Sequence, residues 1–298
     1  MNSIRIIPRL DIKGPNLVKG VQLEGLRVLG KPEDFTYQYY KDGADELIYI
    51  DVVASLYGRN NLLEIVKRTA ERIFIPLTVG GGIRTVDDVR NVLRAGADKV
   101  AINTAAVNNP RLIAMCAKVF GSQCIVVSIE AKRKDKMKYE AYTDNGRERT
   151  NVDVFDWAKK AHELGAGEIL VTSIDRDGTQ KGYDTELIRK ISESLPIPVI
   201  ACGGAGSPEH FYEAVKNGKV DAVSAATVFH YSRLQNIVKE EKFAEEGNIE
   251  YLKYRGGLDI RKNEAGRSLD IGTVKSYLDK KGIPVRMVYR HDERVSAR

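Results

Sequence analysis

Three cysteines in 298 residues, Cys116, Cys124 and Cys202, form an odd set with no CxxC spacing. That excludes a disulfide framework and a thiolate zinc site, and it predicts reduced thiols packed in a core. No apolar run approaches the roughly eighteen residues that a membrane-spanning helix needs. Residues 1–9 hold two arginines but neither a long apolar stretch nor a small-residue cleavage site. No secretory signal is read there, and the expected location is the cytoplasm. Only nine prolines, beside 43% hydrophobic residues, exclude a disordered or fibrous chain and predict a large core. No recognition-helix or aromatic RNA-binding signature accompanies the 47 Lys and Arg, which exceed the 41 Asp and Glu. Apart from clusters at 132–138 and 286–298 the charges are interspersed, so the excess points to phosphate-bearing ligands before nucleic acid. Neither a metal nor a cofactor is called for.

What the chain does contain is repetition. Short runs rich in Val and Ile fall at 4–7, 46–52, 75–79, 99–103, 124–129, 168–174, 198–201 and 222–225, each followed by an amphipathic segment. Continuous apolar runs are the mark of parallel strands covered on both faces, and eight strand–helix alternations predict an α/β (β/α)8 barrel. The first half also resembles the second at an offset of about 122 residues: DELI at 45–48 answers GEIL at 167–170, and Gly81-Gly82 answers Gly203-Gly204. Two similar half-barrels follow, in a single domain covering 1–298. The pattern falters after His230, and 232–268, charged with both signs, reads as an insertion between the eighth strand and a final helix near 271–281. It has too few large apolar residues for a core of its own.

In this fold the C-terminal ends of the strands carry chemistry. Gly80-Gly81-Gly82 ends the third strand and Gly203-Gly204-Ala205-Gly206 the seventh; Asn103-Thr104 ends the fourth and Ala226-Thr227 the eighth. Glycines let backbone N–H groups approach an anion, and helix N-termini add a positive dipole end. Duplication therefore predicts two phosphate sites facing each other across one barrel mouth, suited to an elongated substrate phosphorylated at both ends. The competing reading is that the glycines only make tight turns. Between these sites stand Asp11 and Glu130, four strands apart at the rim of the core, where burial is expected to raise both carboxyls into a range useful for acid–base chemistry. Salt bridges to Lys13, Lys19 or Lys132 are the alternative. Asp51, Asp175 and Asp177 also fall at strand ends, the last two in a DRDGT turn that serves either a polar substrate or only the turn. At the opposite end Arg5, Glu46, Lys99 and Glu168 lie near strand starts. Two cations and two anions there make either a neutralised plug or a gate on a channel through the barrel. His230 reads as a packed or capping imidazole.

The stretches DELIYIDVVAS, TVGGGI, GADKVAINTAAV, GAGEILVTSIDRDGT, GYDTE and GGAG resemble the cyclase subunits of imidazole glycerol phosphate synthase, a family of histidine biosynthesis. The likeness runs from Ile4 to about Ser232 and resumes near 269–286. It implies ammonia delivered through the barrel by a glutaminase subunit docked at the N-terminal face, as a heterodimer. The ammonia would reach a bisphosphorylated ribulosyl aminoimidazole carboxamide nucleotide, giving imidazole glycerol phosphate and an aminoimidazole carboxamide ribotide. By position the resemblance makes Asp11 and Glu130 the catalytic carboxylates and places Lys19, Asp51 and Thr172 around the substrate. Gly82, Asn103 and Thr104 would line one phosphate site, and Asp177, Gly178, Gly204, Ala226 and Thr227 the other. Arg5, Glu46, Lys99 and Glu168 would form the ammonia gate.

Departures from the family pattern are specific. Glu130 stands where the family normally has Asp, and a displacement of about an ångström at a catalytic group can cost on the order of a hundredfold in rate. Arg9 stands where Cys is common, Cys202 replaces a Ser, and 232–268 has no counterpart of that length. These favour a second reading, a paralogue that amidates or amidinates a surface-polysaccharide sugar. A third is a non-catalytic ammonia-channel scaffold.

Overall fold

Runs of Val and Ile become strands where both faces are covered, because β-branched side chains pack well on the pleat and lose least there. The computed structural model describes residues 3–54, 62–237 and 269–287. Eight parallel strands close into a barrel: β1 (Arg5–Lys13), β4 (Leu47–Asp51), β5 (Leu77–Gly80), β6 (Lys99–Ile102), β7 (Ile125–Asp135), β10 (Glu168–Ser173), β11 (Val199–Cys202) and β12 (Ala222–Ala225), which pairs back to β1. Every run read from the sequence is one of these strands. Two antiparallel hairpins extend the barrel at its C-terminal mouth: β2 (Asn16–Val21) with β3 (Glu24–Gly30), and β8 (Lys138–Thr143) with β9 (Glu148–Asp153). They follow β1 and β7, the same place in each half, so the duplication extends to them.

The hairpins were not anticipated. The 132–138 charge cluster is in fact the end of β7 and the turn into β8, where Lys134, Asp135 and Lys138 are exposed and the chain turns inward again at the buried Tyr139, Glu140 and Ala141.

Helices α1 (Pro32–Lys41), α2 (Leu62–Ala70), α3 (Val86–Arg94), α4 (Thr104–Asn108), α5 (Arg111–Phe120), α6 (Val154–Glu163), α7 (Thr185–Ser194), α8 (Pro208–Gly218), α9 (Thr227–Ile237) and α10 (Ile271–Lys280) clothe the strands. None among the described residues is long and apolar enough to cross a membrane. The helix α8 ends on left-handed Lys219 rather than on Gly218, whose missing Cβ instead makes room for the Ile188 side chain. Residues 232–237 complete α9. The rest of the expected insertion, 238–268, lies outside the described residues.

Side chains two apart on a strand share a face, and this fills the barrel in layers. On β1 Arg5, Ile7, Arg9 and Asp11 alternate with Ile6, Leu10 and Ile12, which belong to the large cluster under the helices. Ile7, Ile48, Ala101, Val126, Leu170, Ile200 and Ala222 form a separate apolar cluster inside the barrel. Charged groups lie at both ends of this plug.

The final helix is tied to the first half by charge. The Asp45 carboxylate accepts hydrogen bonds from the buried Lys275 ammonium (2.7 Å), the Arg286 guanidinium (2.9 Å) and the Ile6 N–H (2.9 Å). Asp45→Asn leaves the Lys275 ammonium buried without a counter-charge, at an expected cost of about 3–5 kcal/mol. A urea titration of both proteins reads this as a lower midpoint with unchanged slope; a shift equivalent to less than about 1 kcal/mol contradicts it.

Candidate active site

The C-terminal mouth is built by strand ends that deliver carboxylates and by turns that deliver backbone N–H groups. A cavity of about 460 Å³ opens there, lined by Asp51, Gly81, Gly82, Arg84, Asn103, Thr104, Ser128, Glu130, Asp144 and Asn145 among others. Gly82, Asn103 and Thr104, expected as one phosphate site, therefore share a cavity with Glu130 and Asp51. Gly81 has φ +98° and lies so close to the Asp51 backbone that a Cβ would strike its carbonyl. Only glycine allows strand β5 to turn away here and leave the cavity open. The Asn103 Oδ1 is buried without a hydrogen-bond partner among the described residues, while its amide donates to the Tyr142 carbonyl (3.1 Å).

Asp144, Asn145 and Gly146 were missed by sequence reasoning. They form the β8–β9 turn, with φ of +51°, +57° and +75°, and the DNG sequence is itself a hairpin signal. The Asp144 N–H donates to the Thr104 hydroxyl (3.1 Å) and the Gly146 N–H to Glu130 Oε2 (2.8 Å). The turn thus holds one end of the cavity together.

Glu130 is 5% exposed and makes no ion pair among the described residues. Burial pushes its carboxyl up to about 7, against the pull of the Arg9 charge and the Gly146 N–H. A carboxyl raised in this way keeps its proton in the native state up to about 7 and in the unfolded chain only to about 4.5. Its contribution to stability is complete below 4.5 and is lost as pH rises through 7. Glu130→Gln removes that dependence. Denaturant midpoints should show the variant gaining on the wild type between these limits by on the order of 3 kcal/mol, and a pH-independent difference would refute the assignment.

Asp11 behaves oppositely, which corrects the expectation that burial raises both carboxyls. It is 1% exposed, and burial does push it up, but Arg9 and then Lys19 outweigh this and hold it below the usual carboxylate range. Arg9 Nε donates to Asp11 Oδ1 at 2.8 Å, and Lys19 Nζ to Oδ2 at 3.3 Å. Lys19, wholly buried on β2, also reaches both oxygens of Asp177 at 3.0 and 2.8 Å. Its ammonium, lowered by burial, is raised again by Asp177 and Asp11 to a net increase. The salt-bridge alternative is therefore present at Asp11, through Lys19, while Lys132 pairs with Asp175 instead (3.2 Å). Asp51, at the end of β4, is raised by burial while accepting the Val53 N–H (3.0 Å).

Across the mouth, Thr172 on β10 is engaged by Arg9 Nη1 (2.9 Å). Gly178 and Gly204 are both left-handed, at φ +71° and +106°, and Gly204 is pressed against the Gly182 carbonyl. Ala226 and Thr227 open helix α9, and the Thr227 hydroxyl is buried with no hydrogen-bond partner among the described residues. None of these second-site residues lines the 460 Å³ cavity. In the DRDGT turn Asp175 caps the Arg133 N–H (2.8 Å), a structural use, whereas Asp177 faces the site through Lys19. His230 is packed, as expected: its ring stacks on Tyr39 and accepts or donates a 2.6 Å bond to the Tyr39 hydroxyl, and burial lowers it to about 3.

At the other end of the barrel the four expected charges meet. Arg5 pairs with Glu46 (2.7 Å) and with Glu168, and Lys99 pairs with both Glu46 and Glu168 at 2.9 Å. Thr78 donates to the remaining Glu46 oxygen (2.6 Å). The cations keep 26% and 19% exposure while the anions are buried.

Fold and site together define an enzyme of the (β/α)8 class, with carboxylates at the strand C-termini and a closed ring of charge at the opposite end. The chain belongs to the histidine biosynthesis protein family, which matches residues 5–235. It is similar to imidazole glycerol phosphate synthase subunit HisF of Legionella pneumophila, 64% identical over 211 residues, which is 71% of this chain and 100% of that one. The same subunit of Methanopyrus kandleri is 49% identical over 261 residues, 82% of this chain and 96% of the relative. That of Methanocaldococcus jannaschii is 50% identical over 250 residues, 78% and 92% respectively. These relatives do not favour the surface-polysaccharide or scaffold readings.

Proposed function

We propose that the chain is the cyclase subunit of imidazole glycerol phosphate synthase, using ammonia from a glutaminase partner to convert a ribulosyl aminoimidazole carboxamide nucleotide into imidazole glycerol phosphate and aminoimidazole carboxamide ribotide. The observation that carries this reading is one axis: a ring of four paired charges at one end, an apolar lumen, and Asp11 and Glu130 at the other end. An uncharged molecule as small as ammonia suits such a path, since the apolar layer offers nothing to an ion.

The nucleotide would span the mouth. Gly82, Asn103 and Thr104 would bind one phosphate beside Glu130, and Gly178, Gly204, Ala226 and Thr227 the other, where the orphaned Thr227 hydroxyl is free to donate. Lys19 and Thr172 would orient the chain between them, with Asp51 and Asp177 fixing polar groups. Asp11 and Glu130 supply the carboxylates of the acid–base chemistry.

The glutaminase would dock at the N-terminal face. A cavity of about 760 Å³ lies there, lined by Arg5, Lys99, Glu168, Lys216, Lys219 and Lys281 among others, and Phe74, just before β5, is 83% exposed. A large exposed aromatic beside a charged rim is the composition of a protein interface. The complex would work in the cytoplasm, which its free thiols suit. The test is the purified protein with the ribulosyl nucleotide and an ammonium salt at alkaline pH. Loss of the substrate's ultraviolet absorbance supports the reading, and no turnover overturns it.

A further inference from the structure

Arg9 is an unusual residue to find inside a barrel. It lies two positions beyond Ile7 of the apolar layer, is 2% exposed, and sits directly under the catalytic mouth. Its Nε binds Asp11 Oδ1 at 2.8 Å and its Nη1 binds Thr172 Oγ1 at 2.9 Å, on the far side of the lumen, with the Cys202 sulfur at 3.8 Å from the same nitrogen. A guanidinium so placed cannot be deprotonated and is costly to bury unless an anion stays beside it. Asp11 is that anion, and its second oxygen is held by Lys19. Glu130 differs in each respect. It lines the open cavity, accepts one backbone N–H, and has no cation within ion-pair distance among the described residues.

We propose that Arg9 is a positioning residue that fixes Asp11 as a permanent anion across the lumen, so that the proton exchanged with the substrate is carried by Glu130. The proposal rests on the cyclase reading and assigns the division of labour within it. As ammonia adds to the keto carbon of the ribulosyl chain, the new C–N bond leaves a surplus proton on nitrogen. The keto C=O π bond opens to an alkoxide as this bond forms. Glu130 passes one proton from nitrogen to that oxygen, giving the hydroxyl, and then a second, so that the oxygen departs as water and leaves a C=N bond, with Glu130 returned to its starting state. Asp11 meanwhile offsets part of the Arg9 charge that Glu130 faces. The charged groups facing Glu130 are Arg9 and Asp11 from β1 and Asp144 from the β8–β9 turn; its strand neighbours are Thr172 on β10 and Tyr142 on β8, whose hydroxyl is bound by Lys134. Those facing Asp11 are Arg9, Lys19 and, more weakly, His230.

The test combines two readings on the whole protein. Turnover of the ribulosyl nucleotide is followed against pH at a fixed concentration of free ammonia, for wild type, Arg9→Lys, Arg9→Met and Glu130→Gln. Wild type should show one ionisation near 7, lost in Glu130→Gln. Arg9→Lys should keep that single inflection even if slower, and Arg9→Met should shift it upward and add a second ionisation from Asp11. An Arg9→Met profile that is merely scaled down, with its inflection unmoved, overturns the proposal. Infrared difference titration of the carboxyl band, which needs no turnover, gives the second reading: one carboxyl titrating near 7 in wild type, an additional raised carboxyl in Arg9→Met, and none titrating near 7 in Glu130→Gln. If wild type turns nothing over, the cyclase reading fails while the infrared titration still judges Arg9. A wild-type titration in which the band near 7 survives Glu130→Gln overturns the proposal even where turnover is intact. Should Arg9→Met fail to fold, Arg9→Lys and Glu130→Gln still decide it.

Discussion

Asp11→Asn is expected to lower ammonium-dependent turnover at least about a thousandfold, within the range that removal of a catalytic carboxylate produces. The physical reason is the loss of a fixed negative charge. Asp11 is the counter-charge for Arg9 and half of that for Lys19, both 2% exposed, so the substitution leaves positive charge stranded at the mouth. Stability should also fall, by about 3 kcal/mol, as for other buried ion pairs broken from one side. Circular dichroism melting separates the two effects: a variant that is folded at assay temperature and inactive supports the assignment. Turnover within tenfold of wild type would remove Asp11 from the chemistry. Glu130→Asp, which restores the commoner family residue, should be slower rather than faster here. The shorter carboxylate withdraws from the Gly146 N–H that now holds Oε2 at 2.8 Å, and the β8–β9 turn is left with its bond to the Thr104 hydroxyl at the other end. The extra methylene of Glu130 is thus matched to the position of that turn.

Lys99→Met is expected to separate two activities that share the same mouth. With Lys99 removed, Glu46 and Glu168 retain only Arg5, and the buried carboxylates repel one another at the entrance to the lumen. Glutamine-dependent turnover with the glutaminase should fall at least about tenfold, equivalent to roughly 1.4 kcal/mol in the barrier. Ammonium-dependent turnover, which can enter from the open mouth, should hardly change. Because Glu46 and Glu168 are buried but both keep Arg5, the stability cost should be measurable yet below that of a fully stranded buried charge. Measuring both rates on the same preparation checks this. Equal losses in the two assays would make the ring a structural plug, the bland alternative the sequence already allowed.

The two halves of the barrel are alike in plan and unlike in charge. Each presents a glycine turn, a short helix start, a hairpin and a carboxylate at matching positions. In the first half the carboxylate, Asp11, is wrapped by two cations; in the second, Glu130 has one backbone N–H and an open cavity. The twofold plan has therefore been kept in the scaffold and broken in the electrostatics, which leaves two carboxyl groups with different proton affinities.

Much of this was legible in the sequence for a simple reason. Strand periodicity is local, so eight Val- and Ile-rich runs were enough to place eight barrel strands, and the position of Arg5, Glu46, Lys99 and Glu168 at or near the starts of four of those runs put them at one end. The offset between halves fixed which glycines and carboxylates correspond. The two hairpins escaped because their alternation is interrupted by charged residues and left-handed turn residues, Gln22 and Leu23 in one, Asp144 and Asn145 in the other.

What the sequence by itself determined was the alternation of strands and helices, the twofold repeat, and the set of polar side chains aimed into the lumen, all consequences of spacing along the chain. What only the tertiary structure decided was the partner of each charge. Lys19 meets Asp177 across 158 residues, Arg9 meets Thr172 across 163, and Gly146 meets Glu130 only because a hairpin folds back over the mouth. Proton affinity depends on burial and on charges within a few ångströms, and those neighbours are set by barrel closure, not by sequence spacing.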